Sequence, residues 1–78
     1  MAKLVFMGRL ECVAGMAEMS VAPGPVEQVL ATLDPALAVQ LLGEKVRMAH
    51  NGRLLTDMGG VVLDENDELA FLPPVSGG

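Results

Sequence analysis

The chain contains few of the residue types on which side-chain chemistry depends. Its 78 residues include one cysteine, Cys12, and one histidine, His50, and neither tryptophan nor tyrosine. A single cysteine excludes an internal disulfide framework and a four-thiolate iron–sulfur site, and a single histidine leaves no metal-ligand spacing. The sequence also lacks a phosphate-binding loop of the strand–GxxxxGK–helix type. We therefore expect no side-chain catalysis and no metal site, and we interpret Cys12 as a buried or half-buried structural residue.

Long apolar runs and concentrated positive charge are also missing. No apolar stretch approaches the roughly 20 residues of a membrane span. The first thirteen residues are interrupted by Gly8, Arg9 and Glu11, which is unlike a signal peptide, so we expect a cytoplasmic protein. The five Lys and Arg residues are scattered in a chain of net charge −5, and only 3% of the residues are aromatic and could stack on bases. This pattern disfavours nucleic acid as a partner.

What the sequence does contain is a set of short strands between turn signals. Apolar alternation predicts strands over residues 3–7, 18–22, 46–50, 53–55, 61–63 and 69–72. Asn51-Gly52 predicts a two-residue hairpin turn between two of them. Residues 9–14 are interpreted as a short helix or turn that ends at Gly15.

A main helix is predicted after Pro25, because apolar residues then recur at helical spacing. These are Val26, Val29, Leu30 and Leu33. Asp34-Pro35 predicts the start of a second, short helix through about residue 42. A helix that crosses one face of a small mixed sheet is the economical way to bury these elements. We therefore expect an α+β fold of β-grasp (ubiquitin-like) type, with one main helix packed on one face.

In a β-grasp fold the first and last strands lie side by side at the centre of the sheet. If Leu4, Phe6, Leu69 and Phe71 face the helix, the residues that alternate with them face the other way. Those residues are Val5, Met7, Ala70 and Leu72. We expect them to form an exposed apolar docking surface. The alternatives are that the second helix covers this surface, or that it is a tolerated apolar patch.

The end of the chain is its most informative segment. Strand residues lead into Pro73-Pro74, and the proline rings fix φ and favour an extended conformation at Leu72. Gly77 and Gly78 lack a Cβ, so this end of the chain can enter a channel that is too narrow for other residues. We therefore expect residues 1–72 to form the β-grasp domain and residues 73–78 to form a flexible tail. Such a tail can present the α-carboxylate of Gly78 as a reactive group.

The residues of this tail also point to a family. Residues 68–78, Glu-Leu-Ala-Phe-Leu-Pro-Pro-Val-Ser-Gly-Gly, closely resemble the end of the small subunit of molybdopterin synthase, in the MoaD branch of the ThiS/MoaD sulfur carriers. The opening strand, the turn over residues 9–15 and Asn51-Gly52 also resemble elements of that family. The chain departs from it at Leu72, where a second aromatic residue is common, and at Met7, where some members carry phenylalanine.

The resemblance implies a non-catalytic carrier of sulfur for molybdenum cofactor biosynthesis. Gly78, preceded by Gly77, would be adenylated and converted to a thiocarboxylate. The partners implied are an E1-like adenylyltransferase of MoeB type, a sulfurtransferase or cysteine desulfurase, and the MoaE-type large subunit of molybdopterin synthase. The chain would bind no cofactor itself, because ATP and Mg²⁺ belong to the activating partner. The residues expected to contact partners are Met7, Leu72, Pro73, Pro74, Val75 and Ser76.

Three other functions remain open at this point. The chain resembles carriers for thiamine synthesis or tRNA thiolation less closely, because thiamine carriers usually lack the Pro-Pro step. Some archaeal-type ubiquitin-like modifiers share the ending Pro-Pro-Val-Ser-Gly-Gly, so conjugation to lysines is a second alternative. A third alternative, from a different class, is a non-covalent binding module whose terminus is inert.

Overall fold

The computed structural model describes residues 1–43, 45–57 and 59–74. The elements follow one another in the order β1 (Ala2–Phe6), α1 (Leu10–Ala14), β2 (Glu18–Val21), β3 (Gly24–Pro25), α2 (Val26–Ala31), α3 (Pro35–Leu41), β4 (Arg47–His50), β5 (Arg53–Leu54), β6 (Val62–Leu63) and β7 (Glu68–Leu72). The predicted site residues Val75, Ser76, Gly77 and Gly78 lie outside the described residues. Their roles, and the predicted boundary of a flexible tail, stay predictions.

The main sheet is mixed and has five strands in the order β2-β1-β7-β4-β5. Strands β1 and β7 are parallel, with Leu4 opposite Leu69 and Phe6 opposite Phe71. The other pairings of this sheet are antiparallel. Strands β3 and β6 form a separate two-stranded sheet. The prediction that the first and last strands lie side by side at the centre is confirmed.

The core lies between this sheet and the three helices. Leu4, Phe6, Leu69 and Phe71 point into it, and each is 2% exposed or less. The rings of Phe6 and Phe71 stack with their centroids 5.7 Å apart, a separation at which aromatic pairs add to the stability gained from burial alone. The two central strands therefore bury the same alternate positions that the sequence pattern predicts.

The helical layer differs in detail from the prediction. The predicted apolar stripe is buried, but α2 ends at Ala31, so Leu33 reaches the core from the connecting turn. The hydroxyl of Thr32 donates to the carbonyl of Val29 at 2.6 Å and so satisfies an acceptor at the end of this helix. Helix α3 begins at Pro35, as expected, and is one residue longer than α2. Within the described part of the chain, no helix has the length and apolar character needed to cross a membrane.

Helix α3 lies on the same side of the sheet as α1 and α2. Its buried residues, Leu37 and Leu41, belong to the same core cluster as Phe71. The alternative in which this helix covers the other face of the sheet is therefore wrong. That uncovered face, which carries Lys3, Val5, Ala49, Ala70 and Leu72, is called the open face below.

The predicted hairpin at Asn51-Gly52 is confirmed. Asn51 has φ 50° and Gly52 has φ 84°, so both turn residues occupy the left-handed region. This is the requirement of the two-residue turn that matches the twist of a hairpin, and asparagine and glycine tolerate it best. The turn brings Arg53 opposite His50 and Leu54 opposite Ala49.

Candidate functional site

The chain leaves the sheet where β1 and β7 both finish, which we call the tail end. The backbone N–H of Met7 donates to the carbonyl of Phe71 at 3.0 Å. This bond holds the loop between β1 and α1 beside the last residues of β7. Pro73 and Pro74 follow Leu72, and all three are half-buried. The structure thus places Met7, Leu72, Pro73 and Pro74, four of the predicted partner-binding residues, at one end of the sheet.

Gly8 also belongs to the tail end, although the sequence analysis gave it no role there. Its φ is +53°, in the left-handed region. A Cβ at this position would lie 3.0 Å from Cγ and 3.6 Å from Cδ of Pro73. The bare backbone of Gly8 therefore lies directly against the first proline of the tail. The glycine that follows an apolar strand was the only sequence signal, and it does not reveal which residue it contacts.

The open face carries an apolar strip that runs across the sheet. The register places Val5 opposite Ala70, Ala70 opposite Ala49, and Ala49 opposite Leu54. Leu72 lies on the same face, two residues after Ala70. Leu54 is 56% exposed, and the other members of the strip are half-buried.

The sequence analysis predicted only part of this strip. Val5, Ala70 and Leu72 are where it expected them, and Met7, which follows β1, is 45% exposed. Ala49 and Leu54 were missed, because the sequence does not show that β4 pairs with β7. The strip leads to the tail end through Leu72, so an apolar surface and the start of the tail are continuous.

Charged residues border the apolar strip. Nζ of Lys3 lies 3.6 Å from Oε1 of Glu18, across strands β1 and β2. Arg47 lies opposite Leu72 and is exposed. Apolar residues with a charged, solvated border are the usual composition of a protein–protein contact surface. The open face can therefore bind a partner, and the tail that begins next to it could then enter that partner.

Comparisons with known proteins agree with this arrangement. The sequence model of the ThiS family matches residues 4–78 of the chain. The chain belongs to the ThiS family. The ThiS/MoaD assignment made from the tail is thus confirmed at the level of the family. No curated protein matches the sequence at a significant level.

Solved structures resemble this ThiS-family chain over nearly its whole length. The small archaeal modifier protein 1 (SAMP1) of Methanosarcina acetivorans has 28% identity and a TM-score of 0.81, over 99% of this chain and 95% of that one. SAMP1 of Haloferax volcanii has 26% identity and a TM-score of 0.74, over 99% of this chain and 98% of that one. A putative molybdopterin converting factor, subunit 1, of Pyrococcus furiosus has 22% identity and a TM-score of 0.67, over 95% of this chain and 97% of that one.

These neighbours confirm the predicted α+β fold of β-grasp, ubiquitin-like type. The family and the fold together identify a small ubiquitin-like protein of the carrier or modifier kind. Archaeal modifier proteins and a putative molybdopterin converting factor subunit both stand among these neighbours.

The opposite end of the sheet, which we call the turn end, is a hydrogen-bonded network. The carboxylate of Asp67 accepts hydrogen bonds from the backbone N–H of Asp64 at 2.9 Å and from Nδ2 of Asn51 at 3.0 Å. It also lies 2.9 Å from Nε2 of His50. Oδ1 of Asn51 accepts the backbone N–H of Glu68 at 2.9 Å. These bonds tie the β4–β5 turn to the start of β7.

The network also changes the acidity of Asp67. The backbone hydrogen bond from Asp64 lowers the pKa of the Asp67 carboxyl from 3.8 to about 2, with help from Asn51 and His50. Hydrogen bonds that stabilise the charged form lower the pKa of a carboxyl group in this way. Both His50 and Asp67 thus have partners within the domain, so we interpret them as structural residues of this ThiS-family fold.

The interpretation of Cys12 as a buried or half-buried residue is wrong. Cys12 lies in α1, is exposed and is not in a disulfide. In this short helix Leu10 is buried and Ala14 is half-buried, whereas Glu11, Cys12 and Val13 face solvent. A helix of so few residues has no periodicity from which this exposure could be predicted.

Proposed function

We propose that the chain is a sulfur carrier whose C-terminal Gly78 is activated as an adenylate and converted to a thiocarboxylate, for molybdopterin biosynthesis. The observation that supports this most directly is the course of β7. This central strand ends at Leu72, on the open face, and the chain continues into Pro73-Pro74 and the Val-Ser-Gly-Gly ending. A partner that docks on the open face therefore meets the start of the tail at the same place.

The chemistry requires activation because a carboxylate resists nucleophiles. The α-carboxyl group, with a usual pKa of about 3.3–3.7, is ionised at neutral pH. A carboxylate oxygen of Gly78 would attack the α-phosphorus of ATP, with loss of pyrophosphate, to give an acyl-adenylate. The terminal sulfur of a persulfide then attacks the acyl carbon and AMP leaves, which gives an acyl disulfide. A second thiol cleaves this disulfide, so that the thiocarboxylate is released and a new disulfide forms between the two thiols.

Partner proteins would supply the reagents for each of these steps. An E1-like adenylyltransferase of MoeB type would bind ATP and Mg²⁺, and a sulfurtransferase or cysteine desulfurase would provide the persulfide. ThiS-family carriers typically work with E1-like activating enzymes. A MoaE-type large subunit would then bind the tail that carries the thiocarboxylate. This chain contributes the acyl group, the docking surface and the tail that links them.

The partner contacts proposed for this chain lie on and beside the tail end. Leu72, Pro73 and Pro74 are half-buried and Met7 is exposed, so each retains surface for a partner to cover. Val75 and Ser76 would line the entrance of the partner's channel, and Gly77 and Gly78 would pass through it. Because the adenylating enzyme and the large subunit bind the same tail, they would use it in turn.

Attachment to proteins is the second candidate function. It is favoured by the two archaeal modifier structures, which share 26% and 28% identity with this chain. In that reaction the ε-amine of a lysine would attack the activated acyl carbon of Gly78, and an isopeptide bond would replace the bond to the leaving group. Both functions require the same adenylation of Gly78, so they diverge only at the nucleophile.

The proposal is tested by incubating the full chain with an E1-like adenylyltransferase, ATP and a persulfide donor, followed by intact-mass measurement. We expect the mass gain of one sulfur-for-oxygen exchange. The chain that carries the thiocarboxylate should then donate its sulfur, so that a pterin precursor becomes the dithiolene when a MoaE-type subunit is present. Isopeptide conjugates without dithiolene formation would support the modifier function instead. A wild-type chain that stays unmodified would overturn both.

Deletion of Gly78 provides the matched control. We expect the deletion to abolish the mass gain completely. Gly77 would then be the last residue, and its carboxylate would lie one residue short of the partner's reactive group. The free energy of unfolding should change by less than about 0.5 kcal/mol, as for a surface change that removes no packing. Circular dichroism during urea unfolding measures this. Loss of folding in the deletion variant would contradict the proposed tail.

A further inference from the structure

We propose that Gly8 is a positioning residue that sets the direction in which the tail leaves the domain. This inference rests on the proposed function of the tail. It starts from the contact between the backbone of Gly8 and the ring of Pro73, where an added Cβ would lie 3.0 Å from Cγ. Carbon atoms in van der Waals contact prefer about 3.5–4.0 Å. An added Cβ would thus lie about 0.5 Å too close to this ring atom, so Pro73 would have to shift by a few tenths of an ångström.

The backbone of Gly8 is held on both sides, so it cannot easily retreat from such a clash. The preceding residue, Met7, donates to Phe71 and accepts the N–H of Leu10 at 3.1 Å. The carbonyl of Gly8 itself accepts the N–H of Glu11 at 3.2 Å. The loop is therefore fixed between the central strand and the first turn of α1.

Pro73 has fewer restraints than Gly8. It follows the last residue of β7 and has no backbone N–H to donate. In the described part of the chain, the backbone hydrogen bonds of turns, loops and caps include none to Pro73 or Pro74. When a Cβ is added at Gly8, we therefore expect the proline, and the tail that begins with it, to move.

A small movement at Pro73 becomes larger at the reactive group. Gly78 is the fifth residue after Pro73, and five residues span at most about 17 Å. At full extension, a rotation of about 10° at the proline would displace the end of the tail by about 3 Å. Misplacement of a reacting group by about 1 Å can lower a rate about a hundredfold.

The test compares Gly8→Ala with Gly15→Ala. Gly15 also has a positive φ, +78°, but no described atom lies within 4 Å of the Cβ that alanine would add. The two variants thus share backbone strain, and only Gly8→Ala touches the tail. We expect Gly8→Ala to lower kcat for thiocarboxylate formation about tenfold or more, with a much smaller effect on KM for the carrier because the open face is intact. Gly15→Ala should form the thiocarboxylate with the same kcat as the wild type.

Two further variants separate contact from strain and from misfolding. In the Pro73→Ala background the ring is gone, so Gly8→Ala should no longer lower kcat. Gly8→Asn keeps the Cβ but tolerates the left-handed region, so it should reproduce the kcat defect even if Gly8→Ala does not fold. Equal kcat values for Gly8→Ala and Gly15→Ala, or a defect that persists without the proline ring, would overturn the proposal.

A structural readout keeps this inference separate from the proposed function. Residual dipolar couplings of the Val75 and Ser76 amides report the direction of the tail without any enzyme. We expect them to change in Gly8→Ala and to stay as in the wild type in Gly15→Ala. If the wild type never forms a thiocarboxylate, the proposed function fails, and these couplings alone then test the positioning role of Gly8. Unchanged couplings in Gly8→Ala would overturn it.

Discussion

The two ends of β7 are held in different ways. At its start, Glu68 exchanges two hydrogen bonds with Asn51: its N–H donates to Oδ1, and its carbonyl accepts the Asn51 N–H at 2.8 Å. Asp67 adds its own bonds next to it. At its end, the chain has the Met7–Phe71 bond and the contact of Pro73 with Gly8. One strand thus begins in a polar network and finishes in an apolar contact.

This difference separates two tasks of the molecule. The turn end joins the β4–β5 turn to the start of β7 through side-chain and backbone hydrogen bonds, so changes there should act on stability. The tail end presents half-buried and exposed apolar residues beside the outgoing chain, so changes there should act on partner binding and on delivery of Gly78. Substitutions placed along β7 can test whether the tasks are as separate as the contacts indicate.

The largest expected effect comes from a pair of leucines on this strand. Leu69 is 0% exposed in the core, whereas Leu72 is half-buried on the open face. Leu69→Ala should cost about 2–5 kcal/mol of unfolding free energy, because it leaves a cavity. Leu72→Ala should cost less than about 1 kcal/mol while weakening binding to the adenylyltransferase. Urea unfolding and titration calorimetry measure the two effects, and equal losses of stability would place Leu72 in the core.

The next effect concerns the polar network. Asn51→Ala removes both side-chain hydrogen bonds of Asn51 and places alanine at φ 50°. We expect a loss of about 1–3 kcal/mol in unfolding free energy. Asn51→Gly is the matched control, since glycine accepts the backbone conformation and loses only the hydrogen bonds, so it should lose less. The rate of thiocarboxylate formation at Gly78 should be the same in both variants and in the wild type. A slower rate would mean that the turn end and the tail end are coupled.

The smallest expected effect is a dependence of stability on acid. The pKa of Asp67 is lowered from 3.8 to about 2 in the folded protein, so the folded state favours the carboxylate. Its contribution to stability is present above pH 3.8 and is lost as the pH falls towards 2. Urea unfolding between those pH values should show a steeper loss in the wild type than in Asp67→Asn. Identical slopes would show that the hydrogen bonds to Asp67 do not favour its ionised form.

Local signals in the sequence predicted much of the fold. Alternation located the central strands, and Asn51-Gly52 located the hairpin, because both depend on neighbouring residues. Pairing between distant strands was less accessible. The open-face positions of Ala49 and Leu54 follow from the contact of β4 with β7, which no local pattern encodes. The tail motif identified the family without any knowledge of the sheet.

The features that were missed depend on contacts across the chain. The end of α2 at Ala31 is one of them: Leu33 is buried as predicted, but the connecting turn rather than the helix points it inward. The role of Gly8 depends on a proline 65 positions later in the chain. Glycine after a strand is common, and only the position of Pro73 distinguishes this one from a simple turn.

The parallel pairing of β1 with β7 has a mechanical consequence. Because both strands run in the same direction, Ala2 lies at the turn end and Pro73 leaves at the tail end. A force that drags the tail away from Ala2 would load the hydrogen bonds between these strands in shear, so that they bear the load together. An antiparallel hairpin pulled at its open end, by contrast, breaks one bond after another. Unfolding by such a force would thus meet its greatest resistance at the first step.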